Sequence, residues 1–426
     1  MARPPRSSDA ADAPGVPVRR AALRMLDAVL HRGEPLDQIA PPFLRGIERG
    51  DDRALATAIV QEALRWLADL DALIDGATRQ RLPDDAKARA VLLLMLAQAL
   101  RLGLPPHAVI ATGLPLLAGG PRRLAHGVFS AVLKQAPELP ANPTLPPAVE
   151  ARWQRAWPGR VEAIAAGLSQ PPPLDLTLRD YGATAEWCDR LGGSSLMPGH
   201  VRLPRGGAVE ALPGFGDGAW WVQDLAASLP ARLIGRGTGR ALDLCAAPGG
   251  KTMQLAAAGW RVTAIDKSAR RIERLRDNLK RTQLDAEVVA ADALTWQPDA
   301  PFDAILIDAP CTATGTCRRH PDVLHRLPAI AELAELQHAL LERAATWLAP
   351  GGTLVYAVCS LEPEEGEAHA RAFTALTPAP IMLQDLPAGL TPTAEGWLRS
   401  DPGMLAQAGG IDGFFAARWR KAIRSR

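Results

Sequence analysis

The sequence predicts a multidomain protein with an all-α bundle, then a small α+β module, then an α/β Rossmann-like domain. Three observations lead to this fold class. Residues 18–136 carry apolar side chains at helical spacing, residues 137–148 are rich in proline, and strand-like and helical segments alternate from Arg240 onward. A chain of 426 residues is too long for one small core. Alternating strands and helices are typical of a parallel sheet covered on both faces.

The composition is that of an ordinary globular protein, with 47% hydrophobic residues, 22% charged residues and a net charge of +2. No apolar run reaches the roughly 18 residues that cross a bilayer, so we expect no membrane partner. Residues 1–17 lack the apolar stretch of a secretory signal and are predicted to be a disordered arm. The 5 cysteines include no C-x-x-C pair. We therefore expect free thiols, a cytoplasmic location and no metal site.

The bundle over residues 18–136 is predicted from helical runs with recognisable ends. The first run is centred on Leu26 and ends at Gly33, and the second follows Asp51. The third opens at Pro83 and ends at Gly103. Two shorter runs, at 107–117 and 124–133, complete the bundle before the proline-rich linker.

Residues 149–236 predict a small α+β module. It contains a helical segment near 150–168, a strand at Leu174–Arg179, a helix near 183–191 and a strand near 201–203. Residues 237–426 form the Rossmann-like domain, with predicted strands at Ala241–Cys245, Val262–Asp266, Glu287–Ala291, Ala304–Ile307 and Thr353–Val358. Helices are predicted between them, at Thr252–Ala258, Ala269–Arg281 and Ile330–Leu348. Gly413–Trp419 is predicted to be a late antiparallel edge strand.

A glycine-containing loop, Cys245-Ala-Ala-Pro-Gly-Gly-Lys251, lies where the first strand of this domain turns into its helix. Small residues and glycines let a ligand approach the backbone, and nucleotides bind at this turn in doubly wound sheets. The loop is not a phosphate-binding P-loop, because Cys245 stands where that motif has its first glycine. The G-x-G-x-x-G spacing is also absent. A purely structural turn remains an alternative for this loop alone.

Aspartates follow the next three strands, at Asp266, Asp292 and Asp308. Asp266 could accept hydrogen bonds from ribose hydroxyls and Asp292 could orient an adenine. One such aspartate is more often a turn former, but the ordered series favours an adenosine-bearing cofactor without a pyrophosphate, such as S-adenosylmethionine. The predicted cofactor-binding residues are Cys245, Ala246, Ala247, Pro248, Gly249, Gly250, Lys251, Asp266, Asp292 and Asp308.

Two apolar strands each end in a cysteine, one at Cys311 and the other at Cys359. If the strands are neighbours, the two thiols face one cavity. The residues after Cys359 are predicted to lead into a helix whose N-terminus would favour a thiolate. A lone cysteine is usually a small core residue, which suffices for Cys188 and Cys245, and Cys317 is assigned no role.

Two thiols beside a methyl donor suit methylation at C5 of cytosine. A thiolate is strongly nucleophilic, although only roughly a few per cent of a free thiol is ionised at neutral pH. Its addition to C6 would make C5 able to take a methyl group, and the second thiol could assist release. Asp308 could hold the amino edge of the base. The predicted catalytic residues are therefore Cys359, Cys311 and Asp308, and the pattern alone does not say which thiol attacks.

These motifs resemble the RNA cytosine-5 methyltransferases of the Nol1/Nop2/Sun family. The matching segments are Leu212–Gly218, Val222–Asp224, Cys245–Lys251, Asp308–Gly315, Arg318–Asp322 and Val358–Glu365. Residues 19–135 resemble the NusB RNA-binding domain. The resemblance implies a class I methyltransferase domain, S-adenosylmethionine as cofactor, and 16S rRNA or an early small-subunit particle as partner. It also implies that Cys359 is the nucleophile and that Cys311 assists release.

Three alternatives remain for the function. The same chemistry could act on tRNA, the chain could be a non-catalytic RNA-binding or assembly factor, or it could be a thiol redox protein.

An enzyme that acts on a base must extract it from its stack, so Arg318, Arg319 and His320 after Cys311 are candidate RNA contacts, with a solvated loop as the alternative. Further candidates for phosphate contacts are Arg122, Arg123, Arg418, Arg420, Lys421, Arg424 and Arg426.

Overall fold

Residues 13–423 are described by a computed structural model, and they divide into two units. The first unit runs up to Glu150 and also contains His320–Leu327, and the second contains Ala151–Arg319 and the chain from Pro328 onward. Most of the predicted arm, together with Arg424 and Arg426, lies outside the described residues. The first helix begins at Val16, inside the range predicted to be the arm. Between residues 13 and 423, no helix is long and apolar enough to cross a bilayer.

The first unit is built from helices. They are α1 Val16–Arg32, α2 Leu36–Phe43, α3 Gly50–Arg65, α4 Leu67–Gly76, α5 Lys87–Leu96, α6 Pro106–Gly113 and α7 Gly119–Lys134. Helix α1 ends where predicted, because Gly33 adopts a left-handed conformation that suits glycine. The single run predicted from Asp51 is in fact two helices, with a break at the buried Trp66.

A short segment that interrupts the second unit in sequence, His320–Leu327, is built into this helical unit. The Asp322 carboxylate accepts a hydrogen bond from the Leu36 backbone N–H at 3.3 Å. The His325 ring lies 2.7 Å from the Leu64 carbonyl oxygen. Burial lowers the pKa of His325, so the ring is neutral and donates to that carbonyl.

The second unit begins with a small antiparallel sheet in the order β2-β1-β3. Its strands are β1 Leu174–Leu178, β2 His200–Leu203 and β3 Trp220–Val222, accompanied by helices α8 Pro147–Ala156, α9 Val161–Leu168, α10 Thr184–Leu191 and α11 Leu225–Ile234. Leu176, Val201 and Trp220 are fully buried and form its core. The predicted helical segment near 150–168 is thus two helices.

The large sheet has the order β10-β11-β8-β7-β4-β5-β6, and β9 pairs with β11. Its strands are β4 Arg240–Leu244, β5 Arg261–Asp266, β6 Glu287–Ala290, β7 Phe302–Asp308, β8 Leu348–Val358, β9 Thr377–Pro378, β10 Leu398–Ser400 and β11 Phe414–Arg420. The neighbouring helices are α12 Gly250–Ala257, α13 Ala269–Thr282, α14 Ile330–Trp347 and α15 Glu367–Ala372. Strands β4 to β8 are parallel, as predicted. The prediction of an edge strand at β11 is wrong, because β11 lies between β8 and β10.

The loop after β7 is held against the ends of β8 and β11 at Gly315. The Gly315 N–H donates to the Cys359 carbonyl at 3.0 Å, and the Gly413 N–H donates to the Gly315 carbonyl at 2.8 Å. A Cβ atom at position 315 would lie 2.0 Å from the Gly413 carbonyl oxygen. Only glycine permits this close approach of the two backbones.

We predict that Gly315→Ala lowers the free energy of unfolding by about 1–3 kcal/mol, because the backbone must shift to admit the methyl group. Gly127→Ala in α7 is the matched control, since a Cβ there would meet nothing within 4 Å. Removing a helix-interior glycine should stabilise by about 0.5–1 kcal/mol. Urea unfolding of both variants measures the difference, and equal stabilities would contradict the close approach at Gly315.

Candidate active site

The loop between β4 and α12 is held in place from two sides. Its Ala247 N–H donates to Asp266 at 3.1 Å, and the Asn278 side chain donates to the Pro248 carbonyl at 3.0 Å. Gly249 has φ +104° at the start of α12, and a Cβ there would lie 3.0 Å from Leu275. The end of β5 and helix α13 therefore determine the path of this loop.

Three predicted cofactor residues line one narrow cavity of about 70 Å³: Cys245, Asp266 and Asp292. The other walls are mainly apolar, including Pro310, Leu336 and Leu340. Asp292 also forms its own turn, because its carboxylate accepts from the Leu294 N–H at 2.9 Å. Apolar walls with a few polar groups are typical of small-molecule binding sites.

A larger cavity, of about 670 Å³, is lined by the remaining polar residues of the site. Lys251 and Asp308 lie in its wall together with the aromatic side chains of Phe215 and Trp221. The Lys251 ammonium group donates to Asp308 at 2.7 Å. The structure thus groups Asp308 with this larger cavity, apart from Asp266 and Asp292. Its volume is in the range of pockets that enclose small-molecule ligands.

Asp243 lies fully buried beneath the same loop. One carboxylate oxygen accepts from the Thr252 hydroxyl at 2.6 Å, and the other has no hydrogen-bond partner within residues 13–423. Burial raises the pKa of Asp243 to about 7, and the charges of Asp308 and Asp266 add to the effect while Lys251 opposes it. Sequence reasoning assigned no role to Asp243, although its place at the end of β4 was a signal for one.

The two predicted catalytic cysteines come together. The sulfur of Cys311 lies 3.5 Å from the sulfur of Cys359. The hydrogen bond with Cys359 and burial hold the pKa of Cys311 well above its ordinary value. The predicted helix after Cys359 begins only at Glu367, so the expectation that a helix N-terminus favours a Cys359 thiolate is wrong.

Glu365 lies between the two cysteine loops and was assigned no role from the sequence. It accepts hydrogen bonds from Thr312, next to Cys311, and from Ser360, next to Cys359. The acidic residues after Cys359 were visible in the sequence. Nothing there showed which of them turns inward.

The predicted RNA contacts Arg318 and Arg319 both form ion pairs within the protein. Arg318 is 1% exposed, lies 3.7 Å from Asp412 and donates to the Gly409 carbonyl. Arg319 pairs with Asp224 and, at 2.8 Å, with Asp412. Buried guanidinium groups need such partners because their desolvation is costly. His320 begins the segment built into the helical unit.

The other basic residues predicted to contact phosphates fall into two groups. Arg418 donates to the Ala379 and Pro380 carbonyls, and Lys421 donates to the Ala345 and Leu348 carbonyls, so both are structural. Arg122, Arg123 and Arg420 are exposed. In the described range, no cluster of three or more His, Cys, Asp or Glu side chains could hold a metal ion.

Comparison with known proteins decides the family. The family model for 16S rRNA methyltransferase RsmB/F matches residues 233–420, and the NusB family model matches residues 16–136. Ribosomal RNA small subunit methyltransferase B of Pseudomonas putida is 38% identical over 440 residues, which cover 96% of this chain and 99% of that protein. The chain belongs to the RsmB/F family of 16S rRNA methyltransferases.

A further relative agrees with this assignment, and two solved structures share the fold. Ribosomal RNA small subunit methyltransferase B of Klebsiella pneumoniae subsp. pneumoniae is 36% identical, covering 94% of this chain and 97% of its own. The fold is shared with the crystal structure of PH0851, with a TM-score of 0.73, 22% identity and coverage of 96% and 99%. It is also shared with NSun6 from Pyrococcus horikoshii with SFG, with a TM-score of 0.56, 19% identity and coverage of 65% and 98%.

As an RsmB/F member the chain is a methyltransferase, and S-adenosylmethionine is its cofactor. The predictions of a NusB-like bundle and a Rossmann-like methyltransferase domain are confirmed. The residues present fit the cofactor, because Cys245, Asp266 and Asp292 bring polar groups at the strand ends into one cavity with mainly apolar walls.

We predict that Asp243 makes the protein less stable as pH rises from about 4 to about 7. The unfolded carboxyl ionises near pH 4, whereas folded Asp243 keeps its proton up to about 7. The folded state binds more protons in this window, so the free energy of unfolding falls with pH and then levels off. Asp243→Asn has no such proton to lose, so its free energy of unfolding should fall less as pH rises.

Urea unfolding across this pH range, without cofactor, measures the effect. Asp277→Asn, which changes an exposed carboxylate, is the control and should follow the wild type. Parallel curves for Asp243→Asn and wild type would contradict the raised pKa.

Proposed function

We propose that the chain methylates C5 of a specific cytosine in 16S rRNA through a transient bond between Cys359 and C6. The observation that carries the proposal is the 3.5 Å separation of the Cys311 and Cys359 sulfurs, after the ends of β7 and β8. The two relatives are ribosomal RNA small subunit methyltransferases, which supports rRNA as the substrate. The thiols that the reaction needs suit the reducing cytoplasm.

The loop Cys245–Lys251 holds the cofactor in this proposal, with Asp266 on the ribose and Asp292 beside the adenine. When bound, S-adenosylmethionine supplies an electrophilic methyl group. Asp308 lies in the wall of the larger cavity, where its carboxylate accepts a hydrogen bond from the cytosine amino group while Lys251 balances its charge. A volume of about 670 Å³ leaves room for a base turned out of its stack.

The nucleophile in this proposal is Cys359. Its thiolate adds to C6, and the electron pair of the C5–C6 double bond makes C5 able to take the methyl group. The hydrogen bond with Cys359 and burial raise the pKa of Cys311, and either thiol can donate to the other across 3.5 Å. We assign the attack to Cys359 and the release to Cys311 because of the resemblance to the cytosine-5 methyltransferases.

Release reverses the addition. A water molecule acting as base takes the proton on C5, the C–H electron pair re-forms the C5–C6 double bond, and the bond between C6 and the Cys359 sulfur breaks with its electron pair on sulfur. Cys359 departs as a thiolate, and the thiol of Cys311 is placed to stabilise and reprotonate it. Without Cys311, the enzyme remains attached to the methylated base.

We predict opposite failures for the two cysteine variants. Cys359→Ala should abolish methyl transfer and leave cofactor binding intact, because the nucleophile alone is lost. Cys311→Ala should accumulate an enzyme–RNA adduct that survives denaturing electrophoresis, because release is blocked. Transfer of a labelled methyl group and gel shift measure the two effects. Cys188→Ala, on α10, is the control and should behave as wild type, and substantial turnover by Cys359→Ala would refute the mechanism.

We predict that deletion of the gene removes one 5-methylcytosine from 16S rRNA and leaves tRNA unchanged. Bisulfite sequencing of total RNA from the deletion strain measures both. Restoring the wild-type gene should bring the mark back, and restoring Cys359→Ala should not. Loss of a tRNA mark with 16S rRNA unchanged would support the alternative substrate instead.

A further inference from the structure

The loops that carry the two thiols are joined by one buried carboxylate. Glu365 is 0% exposed. Its Oε1 accepts from the backbone N–H of Thr312 at 2.9 Å, and its Oε2 accepts from the Thr312 hydroxyl at 2.5 Å. Its Oε2 also accepts from the hydroxyl of Ser360. Because Thr312 follows Cys311 and Ser360 follows Cys359, the carboxylate contacts the neighbour of each thiol.

Glu365 is itself held rigidly. The Gln337 amide donates to Glu365 Oε1 at 3.1 Å and to the Pro310 carbonyl at 2.7 Å. The Tyr356 hydroxyl donates to the backbone carbonyl of Glu365 at 2.6 Å. Glu365 is thus bound to α14 through its carboxylate and to β8 through its backbone carbonyl, which limits its freedom to move with either cysteine loop alone.

We propose that Glu365 is a positioning residue that sets the separation of the Cys311 and Cys359 sulfurs. The inference rests on the proposed function, because two thiols must meet one pyrimidine ring in sequence. A misplacement of about 1 Å in such a geometry can cost on the order of 100-fold in rate. Glu365 touches neither the substrate nor the reacting sulfur atoms in this role and acts through Thr312 and Ser360.

The hydrogen-bond donors around the two carboxylate oxygens of Glu365 allow a test of whether the residue acts by joining the loops or through its negative charge. Oε1 receives two N–H groups, which can only donate, whereas Oε2 receives its shortest contacts from two hydroxyls, which can also accept. In Glu365→Gln the amide oxygen can take the place of Oε1, and the amide nitrogen can donate to both hydroxyls. Glutamine therefore keeps the link through the Glu365 side chain. Alanine removes that link and leaves the direct hydrogen bonds between the loops, Thr312 to Ser360 at 3.1 Å and Gly315 to Cys359 at 3.0 Å, which hold the loops together but do not replace the carboxylate.

The first test measures single-turnover methyl transfer and the KM for 16S rRNA in full-length protein. Glu365→Ala should lose roughly 100-fold in rate with little change in KM, and Glu365→Gln should stay within a few-fold of wild type. Glu364→Ala is the matched control, because Glu364 is the exposed neighbour. A wild-type rate in Glu365→Ala, or equal losses in folded Glu365→Ala and Glu365→Gln, would overturn the proposal.

A second test measures thiol geometry without methylation. Phenylarsine oxide bridges two neighbouring thiols with loss of one water, and intact mass follows its capture by Cys311 and Cys359. Wild type, Glu365→Gln and Glu364→Ala should capture it at equal rates, and Glu365→Ala roughly tenfold more slowly. Equal capture by Glu365→Ala would overturn the positioning role. If these capture rates hold but wild type forms no 5-methylcytosine, the proposed function fails and the positioning role stands.

If Glu365→Ala does not fold, Ser360→Ala takes its place in both tests. It removes the Glu365 contact on the Cys359 side together with the contact between the Ser360 and Thr312 hydroxyls, and it keeps the Glu365 contacts with Thr312. A lower transfer rate and slower capture at unchanged KM support the proposal. Wild-type behaviour of Ser360→Ala would overturn it.

Discussion

The parallel pairing of β7 with β8 places Asp308 beside Ala357 at one edge of the large sheet. Both chains leave the sheet there, and Cys311 and Cys359 follow within a few residues. A shift of this register by one residue would turn the side chains of one strand to the opposite face and would separate the thiols. The loop after β7 can follow this path only because Gly315 lets its backbone approach β11. The position of the two thiols therefore depends on the backbone hydrogen bonds between β7 and β8 and on a glycine at position 315.

Buried charges stabilise the surroundings of the site in pairs. Lys251 pairs with Asp308, and Arg319 pairs with Asp224 and Asp412. A buried ion without a partner costs several kcal/mol, so such pairs hold together segments that are distant in sequence. Asp243 is different, because burial raises its pKa to about 7 and the carboxyl can keep its proton. The arginines after Cys311 resemble an RNA-binding motif in sequence, yet their guanidinium groups stabilise the loop.

The predicted helices and strands of the methyltransferase domain agree closely with the structure, because their apolar periodicity is strong and their ends carry glycine or aspartate. The predictions that failed did so for local reasons. Helix α2 was not predicted because it contains Pro41 and Pro42, which disfavour a helix. The break between α3 and α4 at Trp66 was not predicted because it arises from packing. Strand β11 was predicted to be an edge strand because its partner β10 has only 3 residues, too few to give a strand pattern in the sequence. Its interior position depends on pairing that no local pattern contains.

By itself, the sequence determined the order of the domains, the strand ends that carry the aspartates and cysteines, and the likeness to cytosine-5 methyltransferases. Those features are local, since they depend on spacing along the chain and on residue type. Only the tertiary structure decided that Asp308 shares a cavity with Lys251 and not with Asp266, that Arg318 and Arg319 are internal, and that Glu365 joins the two thiol loops. These facts depend on which loops meet at the sheet edge. The order of the strands and the burial of charged side chains determine which loops come together. Neither can be predicted from a short segment of the sequence.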